Sequence, residues 1–136
     1  MKVGFIGSGN MGGAMMRGII ASGKCTEDEI MASDIMAGTL TNMEKDLGIL
    51  TSMDNKIVTS FADIVFLAVK PQFYQEVIEE IRDLITWNKI IVAITPGKTL
   101  AWLGEMFEKP VKIIRVMPNT PAMVREGMMG MCPNEH

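Results

Sequence analysis

The feature that most limits how this chain can fold is a glycine-rich run directly behind its first apolar stretch. Lys2-Val3-Gly4-Phe5-Ile6 leads into Gly7-Ser8-Gly9-Asn10-Met11-Gly12. Val3, Phe5 and Ile6 have the apolar, β-branched or aromatic character of a strand. Beyond the glycines, Met11, Met15, Ile19 and Ile20 recur at helical spacing. In the G-x-G-x-x-G spacing the first glycine permits a tight turn and the second lets the backbone approach a pyrophosphate. The third lets helix and strand pack closely. The free N–H groups and positive dipole end of the helix then face the anion. The same spacing also serves as a bare strand-to-helix turn. Context favours a dinucleotide: the run follows a strand, opens an amphipathic helix, and is succeeded roughly 20 residues on by Asp34 at the end of the next apolar stretch.

Residues 64–69 and 90–94 are continuously apolar and rich in β-branched side chains, the pattern of strands covered on both faces. Further strands are expected over residues 29–33 and 111–116, with a weaker one near 48–51. Helical spacing returns at Phe73, Val77, Ile78, Ile81 and Leu84. Such alternation predicts an α/β, Rossmann-type, doubly wound and mainly parallel sheet with helices on both faces. Its ligand site is expected at the carboxyl ends of the strands. The 136 residues suit one hydrophobic core. Residues 118–136 do not read as another strand-helix unit.

Composition removes several function classes. A formal net charge of -3 gives no sequence-wide attraction to phosphate backbones or anionic lipid, so no nucleic-acid partner is expected. The apolar run at 64–69 is far shorter than the roughly 20 residues that cross a bilayer, so no membrane partner is expected. Cys25 and Cys132 stand apart, and the N-terminus shows no secretory signal, which together predict a reduced, cytoplasmic setting. With His136 as the only histidine, neither a Ser-His-Asp triad nor a histidine-bearing metal site is expected. Gly97-Lys98-Thr99 matches the end of a phosphate-binding P-loop, but Val92 stands where that motif requires its first glycine.

Individual residues refine the picture. A carboxylate at Asp34 accepts a hydrogen bond from a ribose 2′-hydroxyl and repels a 2′-phosphate, which points to NADH. Ser33, however, is a donor that suits a 2′-phosphate, and Asp34 equally suits a helix N-cap. Both NADPH and NADH therefore stay open as the cofactor. In Ala68-Val69-Lys70-Pro71-Gln72, Pro71 suits a first helical turn and Lys70 reads, on spacing, as a solvated strand-end charge. Met117-Pro118-Asn119-Thr120-Pro121 forms a rigid polar corner able to orient a ligand.

Three of these segments together resemble the pyrroline-5-carboxylate reductase family, which reduces a cyclic imino acid to L-proline in the last step of proline biosynthesis. They are residues 3–12, residues 68–72 and, most specifically, residues 117–121. The resemblance implies that Ile6, Gly7, Ser8, Gly9, Asn10 and Met11 bind the cofactor phosphates. Ser33, Asp34 and Asn55 would then lie at the adenosine end, with Ala68, Val69, Lys70, Pro71, Ile94, Thr95 and Pro96 toward the nicotinamide. Asn119 and Thr120 are candidates for orienting groups; no residue reads as a general acid. Family members commonly carry Ala-Ala-Gly where this chain has Thr95-Pro96-Gly97. The resemblance further implies an NAD(P)-binding domain over residues 1–122. Residues 123–136 would start a connection to a helical dimerisation domain that is absent from this chain. A chain so built is expected to bind dinucleotide and to turn over poorly alone, the full protein pairing as a homo-oligomer. The alternatives are a related reductase of the hydroxyacid dehydrogenase type and a non-catalytic dinucleotide-binding module.

Overall fold

A computed structural model describes residues 1–94, 96–117 and 130–136. Its strands are β1 (Val3–Ile6), β2 (Ile30–Ser33), β3 (Leu50–Ser52), β4 (Ile64–Leu67), β5 (Ile90–Ala93), β6 (Lys112–Met117) and β7 (Gly130–Pro133). The helices are α1 (Asn10–Ala21), α2 (Ala37–Leu47), α3 (Asn55–Phe61), α4 (Tyr74–Ile81) and α5 (Leu100–Phe107). The strands form one seven-stranded sheet in the order β3-β2-β1-β4-β5-β6-β7. Every neighbouring pair is parallel except β6–β7. The order of the six parallel strands is that of the doubly wound dinucleotide-binding fold.

Alternation along the strands divides the core. Val3, Phe5, Ile30 and Ala32 pack with Met16 of α1 and against Met43 and Leu47 of α2. Ile6, Val65, Leu67, Ile91, Ala93 and Ile113 point the other way, onto Val58 of α3, Tyr74 and Ile78 of α4, and Leu103 and Phe107 of α5. Helices thus cover both faces, and each large side chain so buried contributes about 1.5–3 kcal/mol. The third strand starts later than its apolar pattern suggests. Gly48 takes a left-handed φ of 71 to end α2, and pairing begins at Leu50.

Residues 130–133 add an antiparallel edge strand to the same sheet. Asn134 then clamps β6: its N–H donates to Ile113 O at 2.9 Å, its side-chain carbonyl accepts from Ile113 N–H at 3.1 Å, and its amide donates to Val111 O at 2.7 Å. Pro133, which has no N–H to give, lies on an edge where none is required. Among the described residues no helix is long and apolar enough to cross a membrane.

Candidate functional site

Strand order reverses at β1, which lies between β2 and β4, so the loops leaving β1 and β4 turn to opposite faces and open a crevice at the carboxyl edge. Gly7 carries the turn. Its φ is 96, and a Cβ there would lie 2.8 Å from the Ala68 carbonyl and 2.9 Å from Val69 N. Its N–H donates to Ser33 O at 2.9 Å, while Ala68 N–H donates to Ile6 O at 2.8 Å. Three strand ends are thereby joined under the loop. Gly12 closes the packing, since a Cβ there would stand 3.0 Å from Gly7 O.

Gly9 differs from both. It is the N-cap of α1 at φ -68, and a Cβ built on it meets nothing within 4 Å. No side chain caps the helix, and its first turn holds no acidic residue. The first helical bond runs from Gly13 N–H to Gly9 O at 2.8 Å, leaving the N–H groups of Asn10, Met11 and Gly12 ahead of the ladder. Open space over an uncapped, acid-free helix N-terminus fits a pyrophosphate.

Asp34 stands beside this loop. Its Oδ2 accepts from Ser8 N–H at 3.0 Å and from the Ser8 hydroxyl at 2.9 Å, and its Oδ1 accepts from Met36 N–H at 2.9 Å. The N-cap of α2 is Met36, without a side-chain cap, so Asp34 braces the glycine loop instead of capping the helix. A carboxylate offers about four lone-pair positions. With three taken among the described residues, one remains for a single hydroxyl donor.

Ser33 is buried, and its hydroxyl donates to Asn55 Oδ1 at 2.6 Å, while the Asn55 amide donates to Glu80 Oε2 at 3.2 Å. The Ser33 hydroxyl is therefore engaged with Asn55 within the protein. Asp54 caps α3 by accepting from Lys56 N–H at 2.9 Å.

Beyond β4, Ala68 and Val69 are half-buried and Lys70 is exposed. Pro71 opens a 3-10 turn that leads into α4. Ile94, the first residue beyond β5, is buried, and its N–H is shared between Leu67 O at 3.2 Å and the Tyr74 hydroxyl at 3.1 Å. Pro96 is exposed. Thr95, Asn119 and Thr120 lie outside the described residues. Thr99 caps α5 by accepting from Trp102 N–H at 3.0 Å, and Lys98 lies 4.3 Å from the Trp102 ring centre. That segment is a helix start, in keeping with the failed P-loop match.

The structure thus gathers the described residues of the predicted set at one edge of the sheet. Sequence reasoning missed Tyr74 and the Ser8–Asp34 pairing. The signal for the first was present: Tyr74 is the chain's only tyrosine and stands three residues before Val77, on the helical stripe. A buried phenol there needs a polar partner. A surface groove of about 590 Å³ lies elsewhere, along α5 and the chain end, lined by Leu100, Gly104, Val111 and Pro133 among others.

Residues 2–97 match the family described as NADP oxidoreductase coenzyme F420-dependent. The chain is 37% identical over 135 residues to the pyrroline-5-carboxylate reductase of Methanosarcina acetivorans, covering 99% of this chain and 50% of that protein. The structure of a pyrroline-5-carboxylate reductase from Coxiella burnetii superposes with a TM-score of 0.94 at 33% identity, over 98% of this chain and 50% of that one. A pyrroline carboxylate reductase from Plasmodium falciparum, solved with NADP bound, gives a TM-score of 0.88 at 29% identity, over 100% of this chain and 49% of that one. The chain spans about half the length of the curated relatives it matches.

Proposed function

We propose that this chain, which belongs to the family described as NADP oxidoreductase coenzyme F420-dependent, is the dinucleotide-binding half of a pyrroline-5-carboxylate reductase. The observation that carries this reading is the identity of 37% spread over 99% of the chain, which reaches beyond the glycine loop shared by many dinucleotide folds. The substrate is 1-pyrroline-5-carboxylate and the product L-proline. A reduced nicotinamide, when bound, supplies hydride to the carbon of the ring C=N bond.

The chain's own residues hold and orient. The N–H groups of Asn10, Met11 and Gly12 receive the pyrophosphate over the open face of Gly9. The free lone pair of Asp34 receives a ribose hydroxyl, and Ser33 with Asn55 supports the wall beside it. Ala68, Val69, Lys70 and Pro71, with Ile94 to Pro96, line the nicotinamide side, and Asn119 and Thr120 orient groups near it. The catalytic contribution is position and exclusion of water. Residues 1–122 form the cofactor domain, and residues 123–136 start the connection to the further chain length that the relatives carry, with residues 130–133 pairing along β6. Substrate contacts and homo-oligomer pairing belong to the further chain length that the relatives carry. The setting is the cytoplasm, and nucleic acid is not a partner.

The test is to join this chain to the C-terminal half of the Methanosarcina acetivorans relative and follow nicotinamide absorbance. Oxidation of NADH or NADPH on adding pyrroline-5-carboxylate is expected. Turnover of a β-hydroxy acid with no response to the imino acid would assign the chain to a different reductase. Dinucleotide binding without turnover of either would favour a non-catalytic module.

A further inference from the structure

Tyr74 opens α4, and its side chain is fully buried beneath the carboxyl ends of β4 and β5. Its hydroxyl donates to Leu67 O at 2.5 Å and accepts from Ile94 N–H at 3.1 Å. Leu67 ends β4, and Ile94 is the first residue beyond β5. The direct bond between them, Ile94 N–H to Leu67 O, is long at 3.2 Å. The phenol therefore forms an extra rung where the ladder is giving out and the two loops diverge. A phenylalanine would fill the same volume, so packing alone does not call for the hydroxyl. Burial raises the phenol above its ordinary value, with the Ile94 hydrogen bond acting in the opposite sense, so the group stays protonated and keeps donating to Leu67.

We propose that Tyr74 is a positioning residue for the nicotinamide end of a bound dinucleotide. By tying Leu67 to Ile94 it sets the gap between the 68–71 loop and the segment beyond β5. The inference rests on the dinucleotide reading above and adds a division of labour to it. Gly7 to Gly12 and Asp34 serve the pyrophosphate and the adenosine side at β1 and β2. Tyr74 serves only the half of the crevice at β4 and β5, where its hydroxyl bonds to Leu67 and Ile94. Affinity for the two ends of the ligand should therefore separate on loss of one oxygen atom.

The experiment compares the unaltered chain with Tyr74→Phe, measuring dissociation constants for NADH and for ADP-ribose, which lacks the nicotinamide. NADH affinity is expected to fall about five-fold, the scale of one net hydrogen bond, while ADP-ribose affinity stays unchanged. ADP-ribose binding also reports that the variant is folded. Equal weakening of both ligands would make Tyr74 a general structural residue and overturn the proposal. Unchanged NADH affinity would overturn it as well, with the dinucleotide reading intact. If the unaltered chain binds neither ligand, the dinucleotide reading fails and the proposal falls with it.

Discussion

Asp34 accepts three hydrogen bonds from protein groups before any ligand arrives, two of them from Ser8. Its charge is therefore held in one place beside the glycine loop. Two unit charges about 4 Å apart repel by about 1 kcal/mol even in bulk water, so a 2′-phosphate approaching this carboxylate is penalised. Asp34→Asn keeps the shape and an acceptor oxygen but removes the charge. Titration with both cofactors should show the NADPH-to-NADH affinity ratio rising about ten-fold in the variant; an unchanged ratio would mean that Asp34 only braces the loop. Tyr74 yields a second prediction, because the chain contains no other tyrosine. Its folded pKa lies above the ordinary value of about 10. The linked stability is thus fully present below about pH 10 and is lost as pH rises from there toward the folded pKa. Absorbance near 295 nm should rise around pH 10 in urea and only at higher pH in the folded chain, whereas coincident curves would show that the phenol is not buried. Of these two residues, Asp34 was legible from its distance to the glycines. Its partner Ser8 was not, because that pairing joins residues far apart in sequence.

β1 is held between β2 and β4 by parallel ladders on both sides, so it cannot shift to accept added bulk. On one face α3 comes very close: a Cβ at Gly4 would lie 2.7 Å from Val58 Cγ1 and 2.8 Å from the Ala62 Cβ. Gly4→Ala should lower stability by about 1–3 kcal/mol, read as a lower urea midpoint at unchanged slope. A midpoint equal to that of the unaltered chain would mean that α3 yields freely. The strands β1, β2, β4, β5 and β6 were legible because each is an apolar run rich in β-branched residues or closely bounded by turn residues. Helices α1 and α4 were legible from their helical spacing, whereas α2, α3 and β7 were harder for physical reasons. In α2, Leu40, Met43 and Leu47 are diluted by threonine, glycine and asparagine, and α3 spans only seven residues. The edge strand β7 reads Gly-Met-Cys-Pro, with no β-branched residue, and owes its conformation to β6 and to the Asn134 clamp.

At the scale of the whole molecule, the described seven-stranded sheet carries two helical faces and one reversal of strand order, and the described residues predicted to bind cofactor follow the strand ends from β2 to β5 about that reversal. The central claim is that the reversal, with its glycine loop, seats a dinucleotide. Gly9 allows this to be tested apart from folding. Its φ of -68 suits any residue, a Cβ there meets nothing, and it occupies the N-cap of α1. Aspartate is a favoured N-cap, so Gly9→Asp should change stability by no more than a few tenths of a kcal/mol. The same substitution puts a negative charge where the pyrophosphate would lie. The most direct measurement is therefore a nicotinamide-fluorescence titration of the chain with NADH and NADPH, before and after Gly9→Asp, alongside thermal unfolding of both proteins. Saturable binding by the unaltered chain is expected, lost by about a hundred-fold or more in a variant that melts at the same temperature. Absence of binding to the unaltered chain, or equal binding by the variant, would contradict the account.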